Sequence, residues 1–331
     1  MIKVSVIIPY FQRDRGILRR ALGSVLKQRL SPDRAVELIV VDDGSPVPAQ
    51  SETEGLVMPP AFHLIVIPQA NGGVASARNA GLKAVSVDTK YIAFLDSDDS
   101  WHEEHLEQGI QALENGNDFY FCDNRRDDHH ASYFQGCSVM KKYIADYTPV
   151  NGLISLTGDE IGTSILREFS TQASAVIYRR GIAPHLLFDT AFVKAGEDIL
   201  FLMQLASKIN KGCFSTRIMV NCGRGINLYF SHISWDSPGH LIQEITRMKA
   251  HCAIKNKVRL SLENDRWNDK YIQGIKRKIA FLSLRQFIKT RGKWPVEIKA
   301  LGREDRNFFS WFPLSLFQAG AGKALGLYRP T

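Results

Sequence analysis

Short apolar runs alternate with amphipathic stretches through the first half of the chain. The apolar runs are continuous and rich in β-branched residues, as in strands buried on both faces, and the stretches between them repeat apolar residues at helical spacing. This alternation predicts an α/β fold with a mostly parallel sheet and helices on both faces. The predicted strands are 3–8, 36–41, 62–67 and 91–95, and the predicted helices among them are 15–28 and 74–84.

Each of these four strands is followed by side chains of the kind that bind ligands. In open parallel sheets, ligands bind at the carboxyl ends of the strands, where such side chains would lie together. Four consecutive strand ends of this type favour a binding site over chance. The segments are 10–13, 42–43, 71–73 and 96–99.

Asp96, Asp98 and Asp99 form a carboxylate cluster directly after the fourth strand. Carboxylates this close repel one another, and a bound Mg²⁺ or Mn²⁺ ion commonly relieves the repulsion because both ions prefer oxygen ligands. A diphosphate could fill the coordination positions that the protein leaves open. A solvated acidic turn that caps the next helix explains the same residues equally well, so the cluster alone leaves both interpretations open.

The second half of the chain is less regular. No elements are assigned over 123–159, while a strand is predicted at 173–178 and a helix at 198–207. A basic amphipathic helix is predicted at 267–291, and the segment from 308 onward is aromatic and rich in glycine.

The net charge of +8 is unevenly distributed. Residues 247–331 contain 19 Lys and Arg against 6 Asp and Glu, whereas the preceding residues contain 23 against 28. A basic extension of this kind suits an anionic membrane surface, an anionic substrate or nucleic acid. No nucleic-acid-binding motif accompanies it, so we expect no nucleic acid partner.

Cysteine usage and hydropathy indicate a cytoplasmic protein. The five cysteines are scattered and form no CxxC pair, so neither a disulfide framework nor a zinc site is expected. No apolar run reaches the about 18 residues that span a bilayer. The apolar start at 1–9 lacks a basic region and a cleavage site, and is interpreted as the first strand rather than a signal peptide.

The turn after the first strand excludes two common ways of binding phosphate. Residues 9–16 contain no GxGxxG pattern, which a Rossmann dinucleotide site needs, and the chain has no Walker A motif. Phosphate groups would therefore have to be held by a metal ion and arginine.

Five short strings together resemble the family 2 glycosyltransferases, which have the GT-A fold and use nucleotide-sugars. Each string is weak alone, but their order and spacing fit the family over about residues 1–235. The extension also resembles, loosely, bacterial exopolysaccharide glucosyltransferases. The strings are VSVIIPYF at 4–11, VVDDGS at 40–45, NGG and ARNAG within 71–81, FLDSDD at 94–99 and GED at 196–198.

The resemblance implies roles in binding a UDP-sugar. Phe11 would stack on uracil beside Pro9, and Asp43 would accept the imide N–H of the base. Arg13 and Arg78 would approach the diphosphate, because the guanidinium fork donates two hydrogen bonds to phosphate. The remaining implied contacts are Asn71, Gly72 and Gly73 beside the sugar-nucleotide and Asp96 on ribose or sugar hydroxyls.

The same resemblance assigns the metal and the proton chemistry. Asp98 and Asp99 would bind Mg²⁺ or Mn²⁺, with the closer ligand of the two left open, and His232 is a further phosphate or metal group. Asp198 would be the general base that deprotonates the acceptor hydroxyl, with Glu197 as second choice. Helix capping is the ordinary alternative for both carboxylates.

We therefore expect an inverting hexosyltransferase that uses a UDP-sugar and a glycan acceptor, such as a lipid-linked oligosaccharide of an exopolysaccharide. Residues 1–235 would form the GT-A domain, with nucleotide binding in 1–100 and acceptor binding in 101–235. Residues 236–331 would be a helical extension that contacts the cytoplasmic face of the membrane. The alternatives are a sugar-1-phosphate nucleotidyltransferase and a non-catalytic UDP-binding assembly protein.

Overall fold

The computed structural model describes residues 1–126, 131–192, 195–223 and 238–324, with side chains throughout except at 238 and 319–324. The chain divides into two compact units: unit 1 is Met1–Val193 with Glu197–Asn227, and unit 2 is Lys194–Gly196 with Leu228–Thr331. The predicted boundary at 235 lies outside the described residues and stays a prediction.

All four strands predicted in the first half of the chain are present in unit 1, and five further strands follow them within the described residues. The strands are β1 Ile2–Tyr10, β2 Arg34–Asp42, β3 Phe62–Pro68, β4 Tyr91–Phe94, β5 Ser100–Trp101, β6 Phe119–Arg126, β7 Leu153–Thr157, β8 Val176–Arg179 and β9 Lys211–Cys222. The helices are α1 Ile17–Leu26, α2 Ala49–Thr53, α3 Val74–Ala84, α4 His105–Glu114, α5 Ser138–Asp146, α6 Gly158–Glu168 and α7 Glu197–Ala206.

These strands form one sheet of nine strands within the described residues. Its order is β3-β2-β1-β4-β8-β6-β9-β5, with β7 paired to β9. The first four strands are parallel, as predicted, whereas β8 runs antiparallel to both β4 and β6. The sheet is therefore mixed with a parallel half, and that half carries the strand ends selected from the sequence.

The register brings the carboxyl ends of the parallel strands to one edge. Tyr10 pairs with Asp42, and Asp42 pairs with Pro68, so β1, β2 and β3 end side by side. The residues from Val4 to Tyr10 are all buried, which explains why the first strand is continuously apolar rather than alternating. The loops after these strands are thus held on a rigid, buried support.

Two parts of unit 1 differ from the sequence-based prediction. The strand predicted at 173–178 begins as a 3₁₀ turn over Ala173–Ala175, and only Val176–Arg179 is extended. The unassigned region 123–159 contains the end of β6, helix α5 and strand β7. Cross-strand pairing to β9 stabilises β7, and such partners are invisible to local patterns.

Unit 2 is helical in its described part. Its helices are α8 Pro238–Lys257, α9 Leu262–Lys289, α10 Val296–Glu304 and α11 Phe308–Ala324. The predicted amphipathic helix is α9, and its apolar positions at 272, 275, 279 and 282 are buried as expected. Within the described residues, no helix combines the length and the apolarity needed to cross a bilayer.

The sequence suggested that Phe308, Phe309, Trp311 and Phe312, in the aromatic segment from 308 onward, would lie at a membrane interface, and the structure buries three of them. Phe308, Trp311 and Phe312 lie in the core of unit 2 beside Ile279 and Leu301, whereas Phe309 is exposed. These three rings pack against one another within one helical turn, which satisfies their apolar surface inside the unit.

Candidate active site

The loop after β1 connects three strand ends. Gln12 is buried, and its backbone N–H donates to Ser45 Oγ at 2.8 Å while its side-chain Nε2 donates to Ser97 Oγ at 3.1 Å. Pro9 is buried in β1, Phe11 is half-buried and Arg13 is exposed. The loop therefore offers an aromatic ring and a cation beside the acidic loop that follows β4.

The adjacent carboxylates of Asp42 and Asp43 have different tasks. Asp42 accepts the backbone N–H groups of Ser45 and Ala49 at 2.8 and 2.7 Å, which fixes the turn into α2. Asp43 accepts the N–H of Gly72 on Oδ1 and that of Gly73 on Oδ2, both at 2.8 Å. Asp43 thus ties the end of β2 to the loop after β3, in the place where the sequence located a base-binding residue.

The loop before α3 is shaped by this carboxylate. Asn71 is exposed, and its Nδ2 donates to the backbone oxygen of Asp43 at 2.9 Å. Gly73 has φ +86°, a left-handed conformation that side chains rarely adopt, and its N–H points to Asp43. A further donor from Gln69 Nε2 reaches Asp43 Oδ1 at 2.7 Å, so three hydrogen bonds orient the carboxylate.

Arg78 joins the acidic loop to the start of α7. Its buried guanidinium donates from Nη2 to Asp96 Oδ1 at 2.7 Å and from Nη1 to Glu197 Oε1 at 3.1 Å. The guanidinium carbon Cζ of Arg78 lies 5.1 Å from the ring centroid of Phe188, and the Phe188 ring stacks in turn on Phe201. The arginine is therefore fixed by two carboxylates and one aromatic face.

Two polar atoms of this pair lack hydrogen-bond partners within the described residues. Arg78 Nε and Glu197 Oε2 are both buried, and neither forms a hydrogen bond there. Buried polar atoms normally find a partner, so an unpaired donor and an unpaired acceptor within one ion pair suit a polar ligand.

The acidic loop is held from three sides. The N–H of Asp96 donates to Ser174 Oγ at 3.0 Å, and Asp99 Oδ1 accepts the N–H of Gly223 at 2.9 Å. Arg20 Nη2 donates to the backbone oxygen of Asp98 at 2.7 Å. The side chain of Asp99 is buried, whereas those of Asp96 and Asp98 are partly exposed.

Gly223 is required where it packs against this loop. A Cβ at this position would lie 2.0 Å from the backbone oxygen of Asp98 and 3.0 Å from Arg20 Nη2. The distance to the backbone oxygen of Asp98 is incompatible with a side chain, so the end of β9 and the acidic loop approach as closely as glycine permits.

Glu197 and Asp198 begin α7 and differ in exposure. Glu197 is buried against Arg78, whereas Asp198 is half-buried and its Oδ1 accepts the N–H of Ile199 at 2.7 Å. Burial and the charge of Asp198 raise the pKa of Glu197 to about 7, against the opposing charge of Arg78. Burial also raises the pKa of Asp198 above its ordinary value, with Arg78 again opposing.

Negative charge exceeds positive charge around Arg78 and the acidic loop. Against the effect of burial, the charges of Asp96 and Glu197 raise the pKa of Arg78 above its ordinary value. Burial and the charges of Asp96 and Asp98 raise the pKa of Asp99 well above its ordinary value. An added cation would relieve this repulsion, so the chemistry of the donor set fits a divalent metal ion.

The described residues contain no group of three His, Cys, Asp or Glu side chains arranged to hold a metal ion. A metal ion here would have only one or two carboxylate ligands from the protein, which is how Mg²⁺ is usually bound together with substrate phosphates. His232 lies outside the described residues.

The sequence analysis assigned no role to four residues that build the site. Gln12 follows the predicted strand directly, and its polar side chain beside Phe11 was the available signal. Ser174, Arg20 and Gly223 carried no signal, because each acts through a contact with the acidic loop that lies far away along the chain.

The sequence of this chain matches a known family and several curated proteins. The sequence model described as Glycosyl transferase family 2 matches residues 5–148. Succinoglycan biosynthesis protein ExoW of Rhizobium meliloti (strain 1021) is 32% identical over 263 residues, which are 78% of this chain and 80% of that protein. Minor teichoic acid biosynthesis protein GgaA of Bacillus subtilis (strain 168) is 35% identical over 62% of this chain and 43% of that protein.

Solved structures share the fold at lower identity. TarS 1-349 of S. aureus in complex with UDP-GlcNAc has a TM-score of 0.58 and 20% identity, covering 91% of this chain and 80% of that one. The mannosyltransferase PcManGT of Pyrobaculum calidifontis in complex with GDP-Man and Mn²⁺ has a TM-score of 0.53 and 15% identity, covering 96% and 86%. At these identities the likeness shows the fold alone.

Proposed function

This chain belongs to glycosyl transferase family 2, with a GT-A fold, and we propose that it transfers a hexose from a UDP-sugar to a glycan acceptor with inversion at the anomeric carbon. The observation that carries the proposal is the Arg78 bridge. It joins Asp96, in the acidic loop, to Glu197, beside the carboxylate assigned as base. Donor-binding and proton-accepting groups are thereby held together by one buried side chain.

Asp198 is the general base in this proposal, and Glu197 is a positioning residue. Inversion needs a carboxylate that can reach the acceptor hydroxyl on the face opposite the leaving group. Asp198 is the more exposed of the two, while Glu197 is engaged with Arg78. The raised pKa of Asp198 makes it a stronger proton acceptor than an ordinary aspartate.

The donor nucleotide would bind across the ends of β1 and β2. Phe11 would stack on the uracil beside Pro9, and Asp43 would accept its imide N–H. Asp43 already accepts three hydrogen bonds, and an ionised carboxylate has about four acceptor positions, so one remains for the base. Asn71 and Gly73 would border the sugar-nucleotide, and Arg13 and Arg78 would approach the diphosphate.

Mg²⁺ or Mn²⁺ would be held by Asp98 and Asp99 together with the diphosphate. When bound, the metal ion neutralises charge that grows on the departing UDP. Asp98 is better placed than Asp99 to bind the metal ion, because the side chain of Asp99 is buried and accepts a hydrogen bond from Gly223. Asp96, beside Arg78, is left to contact ribose or sugar hydroxyls.

The acceptor would be a glycan of a surface polysaccharide, carried on a lipid at the cytoplasmic face of the membrane. The names of two relatives, a succinoglycan and a teichoic acid biosynthesis protein, support this class of product. Family membership decides against a sugar-1-phosphate nucleotidyltransferase. A non-catalytic UDP-binding protein is the second candidate, and turnover distinguishes it.

A donor screen followed by a turnover assay tests the proposal. The thermal midpoint of the full chain would be measured with each of several UDP-sugars and GDP-mannose, with and without Mn²⁺, because binding to the native state raises it. We expect one UDP-sugar to give the largest shift with Mn²⁺ and then to release UDP when lipid-linked acceptor extract is added. Binding without UDP release from any extract would favour the non-catalytic alternative. A larger shift with GDP-mannose than with any UDP-sugar would overturn the assignment of uracil as the nucleobase of the donor.

A further inference from the structure

Helix α11 exposes three large apolar side chains that no other described element covers. Phe309, Leu314 and Phe317 are 78%, 57% and 75% exposed. At 100° per residue they lie within one arc of the helix, and we call these three residues the apolar ridge. Singly exposed apolar residues are ordinary, but a row of them along one helix indicates an interaction surface.

The composition of α11 sets it apart from an ordinary surface helix. Its opposite arc carries Phe308, Trp311 and Phe312, which are buried in the core of unit 2. From 308 to 322 the sequence has no Asp, Glu, Lys or Arg. A helix with one face in the core normally has a charged outer face, so the outer face of α11 suits an apolar environment rather than water.

Cationic side chains of α9 lie alongside the apolar ridge. Arg277 Nε donates to Gln318 Oε1 at 2.9 Å, next to Phe317. Lys276 Nζ lies 5.0 Å from the ring centroid of Trp311, which is the member of the buried arc nearest to Leu314, about 60° away around the helix. Apolar side chains flanked by Lys and Arg are the pattern of a surface that lies in the interface of an anionic bilayer.

We propose that the apolar ridge docks unit 2 onto an anionic membrane, with Phe309, Leu314 and Phe317 entering the boundary between headgroups and acyl chains. Lys276 and Arg277 then face lipid phosphates. A second copy of the chain fits less well, because a two-fold contact through the ridge would place Lys276 and Arg277 of both copies in one interface, and α11 has no acidic side chain from 308 to 322 to pair with them. The inference rests on the proposed function, since a lipid-linked acceptor would bring the enzyme to the bilayer.

Vesicle co-sedimentation of the full chain tests the docking. With vesicles of phosphatidylcholine containing about one third phosphatidylglycerol, we expect binding that weakens with salt and is far weaker on phosphatidylcholine alone. Phe317→Ser should weaken binding about tenfold, since burying a Phe side chain contributes about that factor or more. Changing all three ridge residues to Ser should abolish it, and Arg277→Gln should weaken it about fivefold.

Matched controls come from the start of α9 and the segment before it. Leu262 begins α9, about 20 Å along the helix from Arg277, and is as exposed as the ridge residues, while Arg259 is an exposed cation just before that helix. Leu262→Ser and Arg259→Gln should leave vesicle binding unchanged. Because all the altered side chains are exposed, each variant should keep the thermal midpoint of the parent chain, which checks that folding is not the cause.

Three results would overturn the docking. They are no binding of the parent chain to the anionic vesicles, equal binding by the triple Ser variant, and equal loss in the α9 controls. Sedimentation velocity without lipid tests the rival occupant, a second copy of the chain. If the parent chain is a dimer and the triple Ser variant is a monomer, the ridge binds a second copy. UDP-sugar binding by the triple Ser variant is measured separately, so failure of the docking and failure of the proposed function give different results.

Discussion

Arg78 donates a hydrogen bond from Nη1 to Glu197 Oε1 at 3.1 Å, across 119 positions of the sequence. The same guanidinium holds Asp96, so its loss would leave two carboxylates without their cation. We expect Arg78→Ala to lower the free energy of unfolding by about 3–5 kcal/mol, the usual effect of removing one partner of a buried ion pair. Urea unfolding measures this.

Arg15→Ala is the matched control for that measurement, because Arg15 is exposed, and it should change the free energy by less than about 0.5 kcal/mol. A double-mutant cycle between Arg78→Met and Glu197→Gln should show a coupling energy of at least about 1 kcal/mol. Additive effects would mean that the bridge does not hold the two loops together.

Asp198→Asn should separate binding from turnover. If Asp198 accepts the proton of the acceptor, kcat should fall at least about a hundredfold, while the dissociation constant of the UDP-sugar should change less than about twofold. Calorimetric titration and a UDP-release assay give the two quantities. If the loss appears in donor affinity instead, with turnover retained at saturation, Asp198 is not the base.

Asp98→Ala should remove the metal dependence of donor binding. In the parent chain Mn²⁺ should increase the thermal shift caused by UDP, and in this variant the increment should vanish, because the diphosphate loses its metal bridge. Asp99→Asn should keep part of the increment, since its side chain is turned toward Gly223. If Asp99→Asn loses more of the increment than Asp98→Ala, Asp99 is the main metal ligand. If UDP shifts the thermal midpoint of the parent chain equally with Mn²⁺ and with EDTA, there is no metal site.

Gly223→Ala should displace the acidic loop without replacing any side chain that is proposed to contact a ligand. The new methyl group would need the space occupied by the backbone oxygen of Asp98, 2.0 Å away. We expect kcat/KM to fall at least about tenfold, because the loop must move. Gly181→Ala is the control, since a Cβ there meets nothing within 4 Å, and equal activity of both variants would show that the close approach is unimportant.

His251 should make unit 2 sensitive to acid. Burial lowers the pKa of His251 from 6.5 to about 4, while its Nδ1 shares a hydrogen bond of 2.7 Å with Asn268 Oδ1. Between pH 6.5 and about pH 4, His251 is therefore protonated in the unfolded chain but neutral in the folded chain. Its contribution to the stability is complete above about pH 6.5 and is lost as the pH falls from there towards the pKa of the folded chain. The free energy of unfolding should drop by about 2 kcal/mol from pH 7 to pH 5 on this account.

Urea unfolding followed by tryptophan fluorescence at the two pH values measures the drop. His251→Gln should be less stable at pH 7 but should lose less stability on acidification. His63→Gln serves as control because His63 is exposed, and it should keep the full drop. An unchanged drop in His251→Gln would assign the acid sensitivity to other groups.

Much of the parallel half of the sheet could be predicted locally. Helix α3 was predicted at 74–84 and is Val74–Ala84, and β2 extends its predicted range by two residues at the start and one at the end. By contrast, β7 and the 3₁₀ turn at Ala173–Ala175 depend on strands and loops far away in sequence. β7 is only five residues long, so its alternation of buried and exposed positions is too short a local pattern to assign it without its partner β9.

The candidate site divides in the same way. Periodicity and strand-end polarity were enough to predict the fold class and to select the carboxylates at the strand ends, because both are properties of short segments. Tertiary contacts were needed to show that Glu197 is paired and Asp198 more exposed, that Asp99 turns toward Gly223, and that Phe309 rather than Phe308 faces outward. Burial and charge depend on which distant segments come together, and neighbouring residues of the same type can therefore acquire opposite environments.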